Sequence, residues 1–103
     1  MLSPHIDDAV LSVGAYMHEQ ARGGTDVRVL TVFANDPTMG DPPGAWDLLC
    51  GFASAAAAAR ARRAEDARAC AIVGAAPQWL TFADESYGRR PDADDVWEAI
   101  RRP

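Results

Sequence analysis

Apolar residues along this chain follow two alternating patterns. Between residues 9 and 22 they recur every three or four positions, which predicts a helix that ends at Gly23 and Gly24. Residues 27–34 are apolar at nearly every position and rich in β-branched side chains. This second pattern predicts a strand that is buried on both faces, as strands of parallel sheets are.

The second half of the chain repeats this order. Residues 35–51 are rich in proline, glycine and aspartate, which predicts a long loop. In the helix predicted after this loop, the charged residues, among them Asp66, are expected to face solvent. The predicted elements are a helix over 53–73 that ends at Gly74, a strand over 78–83, a loop over 84–92 and a helix over 94–102. Alternation of helices and strands predicts an α/β fold with a parallel sheet.

The ends of the chain limit the sheet that it can form. Only residues 1–3 are left for a first strand before Pro4, and no strand pattern follows the last helix. Two complete strands are too few for a stable sheet. The chain also has 21 alanines, which bury little area each, so its core should be thin. We therefore expect one incomplete domain over residues 1–103, cut at both ends.

Charge and composition exclude several classes of protein. The net charge is −5, the ten basic residues are all arginine, and no basic cluster is present, so neither nucleic acid nor an anionic membrane surface is an expected partner. The absence of lysine excludes Schiff-base and phosphate-loop lysines. No apolar run approaches the roughly 20 residues of a membrane span. Cys50 and Cys70 form no CxxC pair, so we expect two free thiols and a cytoplasmic location.

One short segment concentrates chemically active side chains. His5, Asp7 and Asp8 lie where the first strand should lead into the first helix, and ligands of open α/β sheets bind at such junctions. Imidazole nitrogen and carboxylate oxygen are zinc ligands, and a further carboxylate beside them can accept a proton from water. Two other interpretations are open. The aspartates could be helix N-caps with His5 in a loop, or the acidic pair could hold magnesium in a phosphoacceptor domain, which would need a lysine that this chain lacks.

The same segment resembles a known family. Residues 3–12, SPHIDDAVLS, followed by Gly14, are similar to the opening signature of the PIG-L/LmbE-like deacetylases, in the branch that begins Ser-Pro-His-x-Asp-Asp-Ala. Further similar segments follow in the family's order: residues 31–37 (TVFANDP), Arg62 with Glu65, and residues 79–84 (WLTFAD). The resemblance implies a Rossmann-like, three-layer α/β/α fold with a mostly parallel sheet.

The resemblance also implies an activity and a set of roles. It implies a zinc-dependent hydrolase that removes the N-acetyl group from an N-acetylglucosamine-type sugar or glycoconjugate. His5 and Asp8 would then be zinc ligands, and Asp7 the general base that takes a proton from the metal-bound water. The positions where the family places groups that contact or surround the sugar are Asp36, Arg62 and Asp84.

Part of the family's site has no counterpart in this chain. The third zinc ligand is a histidine that the family places beyond residue 103, and His18 lies about 15 Å along the helix axis from Asp8, too far to replace it. A non-catalytic remnant and a small interaction module therefore stay open as alternatives. Trp46, in the predicted long loop, could stack on a sugar or pack against the protein.

Overall fold

The computed structural model describes residues 1–102, so Pro103 of the predicted domain lies outside the described residues. Its elements in chain order are β1 (Leu2–Ser3), α1 (Asp8–Arg22), β2 (Val27–Thr31), α2 (Ala45–Leu49), α3 (Ala55–Val73), β3 (Ala75–Trp79), a 3-10 turn (Glu85–Tyr87) and α4 (Ala93–Arg101).

The three strands form one parallel sheet in the order β1–β2–β3. In the central strand, Leu30 pairs with Leu2 on one side and with Gln78 on the other. Helices α1 and α3 pack against each other and against the strands, which places both on the same face of the sheet. The α/β prediction with a parallel sheet is thus confirmed. Because all three strands point the same way, the segments that follow them emerge at one edge.

Small side chains dominate the core, as the alanine content predicted. Met17 of α1 and Val29 of β2 are its largest members, and they pack with Ala9, Cys70 and Ala75. Both cysteines are free, with Cys50 exposed and Cys70 buried. No helix within residues 1–102 has the length and the apolar character that a membrane crossing requires.

The ends of α3 are set by the residue types that favour them. The Ser54 hydroxyl accepts a hydrogen bond from the amide of Ala57 (3.1 Å) and caps the N-terminus. Gly74 closes the helix with a φ of 81°, and a Cβ atom there would lie 2.9 Å from the Cβ of Ala21. Glycine is required at this position for both reasons, since other residues disfavour this φ and would clash with α1.

Four predictions about local structure were wrong. The last strand begins directly after Gly74 and covers Ala75–Trp79, not 78–83. Hydrogen-bonded pairing with β2, and not the β propensity of the residues themselves, decides where this strand lies. The regular part of β2 ends at Thr31 rather than at residue 34. The predicted loop 35–51 contains a helix, Ala45–Leu49. Asp66 is buried, where it accepts a hydrogen bond from Trp79 Nε1 (2.8 Å).

Candidate active site

The turn from β1 into α1 is organised by Ser3. Its buried hydroxyl donates to the carbonyl of His5 (2.7 Å) and accepts from the amide of Ala9 (3.3 Å). Ser3 thereby satisfies one of the amides in the first turn of α1, a role usually taken by an N-cap side chain. Apart from the place of Ser3 in the motif, no local sequence pattern indicates this role.

Asp7 occupies the N-cap position of α1 without capping it. Its φ of 74° and ψ of −15° are left-handed, and its carboxylate makes no capping hydrogen bond. Burial raises the pKa of Asp7, and the nearby charges of Asp66, Glu65 and Asp8 raise it further. A residue other than glycine in this conformation costs the fold on the order of 1–3 kcal/mol. The capping interpretation is therefore wrong for Asp7, which is strained and leaves its carboxylate free for other chemistry.

Asp8, the next residue, turns back toward His5. Its Oδ2 accepts a hydrogen bond from the backbone amide of His5 (3.0 Å) and lies 3.5 Å from Nδ1 of the His5 imidazole. The imidazole stacks on the ring of Phe33, with centroids 5.5 Å apart. Both side chains remain about half exposed. The structure thus brings the two predicted metal ligands together on the surface of the turn.

This pair of donors suits zinc. Zinc bonds of about 2.0–2.2 Å in a tetrahedron place neighbouring donor atoms about 3.4 Å apart. The separation of 3.5 Å between Nδ1 of His5 and Oδ2 of Asp8 matches that edge. Within residues 1–102, no three His, Cys, Asp or Glu side chains are grouped closely enough to hold a metal ion. The described residues therefore fit zinc as two of its ligands.

Three cavities adjoin the turn. One, of about 300 Å³, is lined by His5, Asp84 and Arg62 together with Gly44, Trp46, Asp47, Glu85 and Ser86. A second, of about 410 Å³, is lined by Asp7 and Arg62 together with Ile6, Trp46, Cys50, Phe52 and Glu65. The third, of about 320 Å³, lies on the side of Phe33 and is lined by His5, Phe33 and Asp84 together with Ala83, Glu85, Arg89, Arg90 and Pro91. Of the three predicted sugar-contacting residues, Arg62 and Asp84 therefore lie beside the turn. Asp36 instead lines a separate depression with Thr81 and Phe82.

Arg62 is fixed by a buried carboxylate that sequence analysis did not single out. Asp47 of α2 is only 2% exposed, and its Oδ1 lies 2.8 Å from NH1 of Arg62. Its Oδ2 accepts hydrogen bonds from the Gly44 amide (3.0 Å) and from the Tyr87 hydroxyl. Burial pushes the pKa of Asp47 upward, but the bonds from Tyr87 and Gly44 and the charge of Arg62 outweigh it, so the pKa is lowered. Asp47 thus ties α2, α3 and the turn before α4 together.

The carboxylate of Asp84 is engaged by the protein itself. It accepts from the amide of Ser86 (2.9 Å) through Oδ1 and from Nδ2 of Asn35 (3.3 Å) through Oδ2. Asn35 also accepts from the amide of Asp84 (2.9 Å), so the two residues bond reciprocally across the ends of β2 and β3. Asp36 makes a similar local arrangement, since its Oδ1 accepts from the amide and hydroxyl of Thr38 (2.8 and 2.6 Å). These bonds lower the pKa of Asp36.

Comparison with known proteins yields similar structures of one activity class. The chain is 36% identical to the A40926 pseudoaglycone deacetylase, with a TM-score of 0.80 over 96% of this chain and 42% of that one. It is 35% identical to a triple mutant of a deacetylase involved in the teicoplanin biosynthetic pathway, with a TM-score of 0.82 over 97% of this chain and 43% of that one. The zinc-inhibited form of teicoplanin deacetylase is 37% identical, with a TM-score of 0.74 over 90% and 35% of the two chains.

The present chain spans less than half the length of these relatives. No curated protein sequence matches it. The profile of the family described as PIG-L: GlcNAc-PI de-N-acetylase matches residues 1–102. This match covers nearly the whole chain, and it includes the His5–Asp8 turn whose geometry is described above. The chain belongs to the PIG-L (GlcNAc-PI de-N-acetylase) family.

Proposed function

We propose that this chain forms the part of a zinc-dependent N-deacetylase that carries the general base and two of the metal ligands. The observation that supports the proposal most strongly is the conformation of Asp7. Its backbone is held in a left-handed conformation and its carboxylate caps nothing, beside a His5–Asp8 pair spaced for one ion. Strained backbone of this kind concentrates at functional sites, where it places a reactive group that the fold alone does not need.

The proposed reaction is hydrolysis of an acetamide to acetate and a free amine. His5 Nδ1 and Asp8 Oδ2 would hold the ion, with the stack on Phe33 fixing the imidazole plane. Zinc in such a site supplies a Lewis acid that polarises the amide carbonyl. The Asp7 carboxylate accepts the proton of the attacking water and delivers it to the departing nitrogen.

The proposed substrate is an N-acetylglucosamine-type sugar carried on a larger glycoconjugate. The family description and the A40926 pseudoaglycone deacetylase among the similar structures support this class. Arg62, which lines both the cavity beside His5 and the cavity beside Asp7, is proposed to border the sugar. Asp84 contributes by shaping the wall through its bonds to Asn35 and Ser86. Asp36, which lies apart, is proposed to border a more distant part of the conjugate.

The test uses a chimera in which residues 1–102 replace the matching part of the A40926 pseudoaglycone deacetylase. Acetate release from N-acetylglucosamine conjugates and bound zinc are measured for Asp7→Asn and Asp8→Asn, with Asp94→Asn as the exposed control. We expect Asp7→Asn to keep zinc and to lose about 10²–10⁴-fold in turnover, because it removes proton transfer but no ligand. Asp8→Asn should lose the zinc itself. The reverse pattern would exchange the two roles and refute the assignment.

A second candidate is a binding module that keeps the motif without catalysing a reaction. It is favoured by the finding that residues 1–102 supply two metal ligands and no third nearby. The chimera distinguishes the candidates. The isolated chain should bind zinc weakly and release no acetate in either case, whereas the chimera of a deacetylase should bind zinc tightly and release acetate. A chimera that folds and binds the sugar but releases no acetate would favour the binding module.

A further inference from the structure

Trp46 is an exposed aromatic residue on a segment that is firmly anchored. It belongs to α2, and 62% of its surface is accessible, while its neighbour Asp47 is 2% exposed and bonded to three other groups. The carboxylate of Asp47 fixes the helix that carries the indole. The backbone carbonyl of Trp46 is also engaged, by the amide of Cys50 (3.0 Å). An exposed indole on an immobilised helix offers a large apolar surface that needs little ordering on binding.

The position of Trp46 is more informative than its exposure. Together with Arg62 it lines two of the three cavities at the candidate site, the 300 Å³ cavity beside His5 and the 410 Å³ cavity beside Asp7, and it does not line the cavity on the side of Phe33. Leu48 on the same helix is equally exposed and Leu49 is more exposed, but they line neither of these two cavities. Cavities of about 300 and 410 Å³ have the size of small-ligand sites and not of protein-docking faces. Trp46 therefore faces the space that a small ligand would occupy.

We propose that the indole of Trp46 is the platform for the pyranose ring of the sugar bound at this site, an assignment that rests on the function proposed above. One face of a pyranose ring presents mainly C–H groups, which pack against an aromatic plane, while the hydroxyl groups at its rim reach polar partners. Arg62 lies beside Trp46 as such a polar neighbour. The platform would hold the ring while the acetamide points toward Asp7, so Trp46 would set affinity for the sugar and not the rate of bond cleavage.

The test labels the chain with 5-fluorotryptophan and follows its three tryptophans by ¹⁹F NMR without metal. The probes are methyl N-acetyl-β-glucosaminide and N-methylacetamide, which has the amide but no ring. Trp97 of α4 is an internal control, since it is 58% exposed and lines neither cavity. We expect the Trp46 signal to shift saturably with the glycoside only, and the Trp97 signal to stay. Equal shifts at both residues, no shift at Trp46, or the same shift with N-methylacetamide would overturn the proposal.

Variants give a second measurement. Trp46→Ala should raise the dissociation constant for the glycoside about tenfold, and Trp46→Phe about threefold, because part of the aromatic plane remains. Leu49→Ala is the matched control on the same helix and should leave it unchanged. In the chimera, Trp46→Ala should raise KM and leave kcat nearly unchanged.

The outcomes separate this proposal from the proposed activity. A Trp46 signal that responds to the glycoside, together with a folded, zinc-loaded chimera that releases no acetate, would support the platform and refute the deacetylase. If the chimera releases acetate and Trp46→Ala leaves its KM unchanged, the platform is refuted and the deacetylase proposal is supported. An indole that is buried in the chimera and unresponsive to sugar would also refute the platform.

Discussion

Replacing Asp47 by asparagine keeps the size of the side chain but removes its charge. The carboxylate is the shared acceptor for Arg62, Gly44 and Tyr87, and the side chains of the ion pair are only 3% and 22% exposed. Asparagine has one acceptor oxygen and presents an NH₂ group to donors where the second oxygen was. Removing one partner of a buried ion pair costs about 3–5 kcal/mol, because the other charge is left without compensation. We expect Asp47→Asn to lower the free energy of unfolding by this amount.

Urea unfolding followed by circular dichroism measures this loss. With a urea slope of about 2 kcal/mol per M, the midpoint should fall by about 2 M. Asp41→Asn is the matched control in the same connection, since its 3.0 Å pair with Arg89 is more exposed and should be worth about 0.2–1 kcal/mol. The double variant Asp47→Asn/Arg62→Met should recover part of the loss, because it removes the uncompensated charge.

The effect of Asp47→Asn should also depend on pH. The folded pKa of Asp47 lies below its ordinary value of 3.8, so the carboxylate contributes stability above that value and loses it as the pH falls through the folded pKa. The gap between wild type and Asp47→Asn should therefore be full at pH 7 and shrink below about pH 4. A loss under 1 kcal/mol at pH 7, or a gap that is constant from pH 7 to pH 2, would refute the assignment of this buried pair.

Three further predictions concern other residues of the described structure. Arg63 donates to two backbone carbonyls at the ends of β2 and β3 and stacks 5.3 Å above a tryptophan ring, so Arg63→Ala should cost about 2–4 kcal/mol in urea unfolding, against under 0.5 for the exposed Arg68→Ala. Asp7→Gly should raise the free energy of unfolding by about 0.5–1 kcal/mol while abolishing turnover in the chimera, because glycine accepts the φ of 74° without strain. Burial raises the pKa of Cys70 to about 11, so a thiol reagent at pH 8 should modify only Cys50 in the folded chain and both thiols in urea. Equal rates of modification of Cys50 and Cys70 in the folded chain would contradict the buried position of Cys70.

The sequence by itself determined the order of the main elements. The helix before the central strand was predicted over 9–22 and is Asp8–Arg22, because apolar spacing and the glycines after it act locally. The long helix ends at Gly74 as predicted, since its left-handed φ is a property of the residue type. The motif at residues 3–12 also predicted the turn in which Nδ1 of His5 lies 3.5 Å from Oδ2 of Asp8. What these features share is that neighbouring residues in the chain decide them.

Only the tertiary structure decided which polar groups become buried and where the last strand begins. Ala75, Ala76 and Pro77 have little β propensity, yet they pair with β2 because the connection through α3 delivers them to its open edge. Asp47 contacts Tyr87 across 40 residues, and Asn35 contacts Asp84 across 49. No local pattern encodes such partners, because a buried carboxylate is stable only where donors from distant segments converge on it. The same convergence fixes α2 and thereby presents Trp46 beside the candidate site.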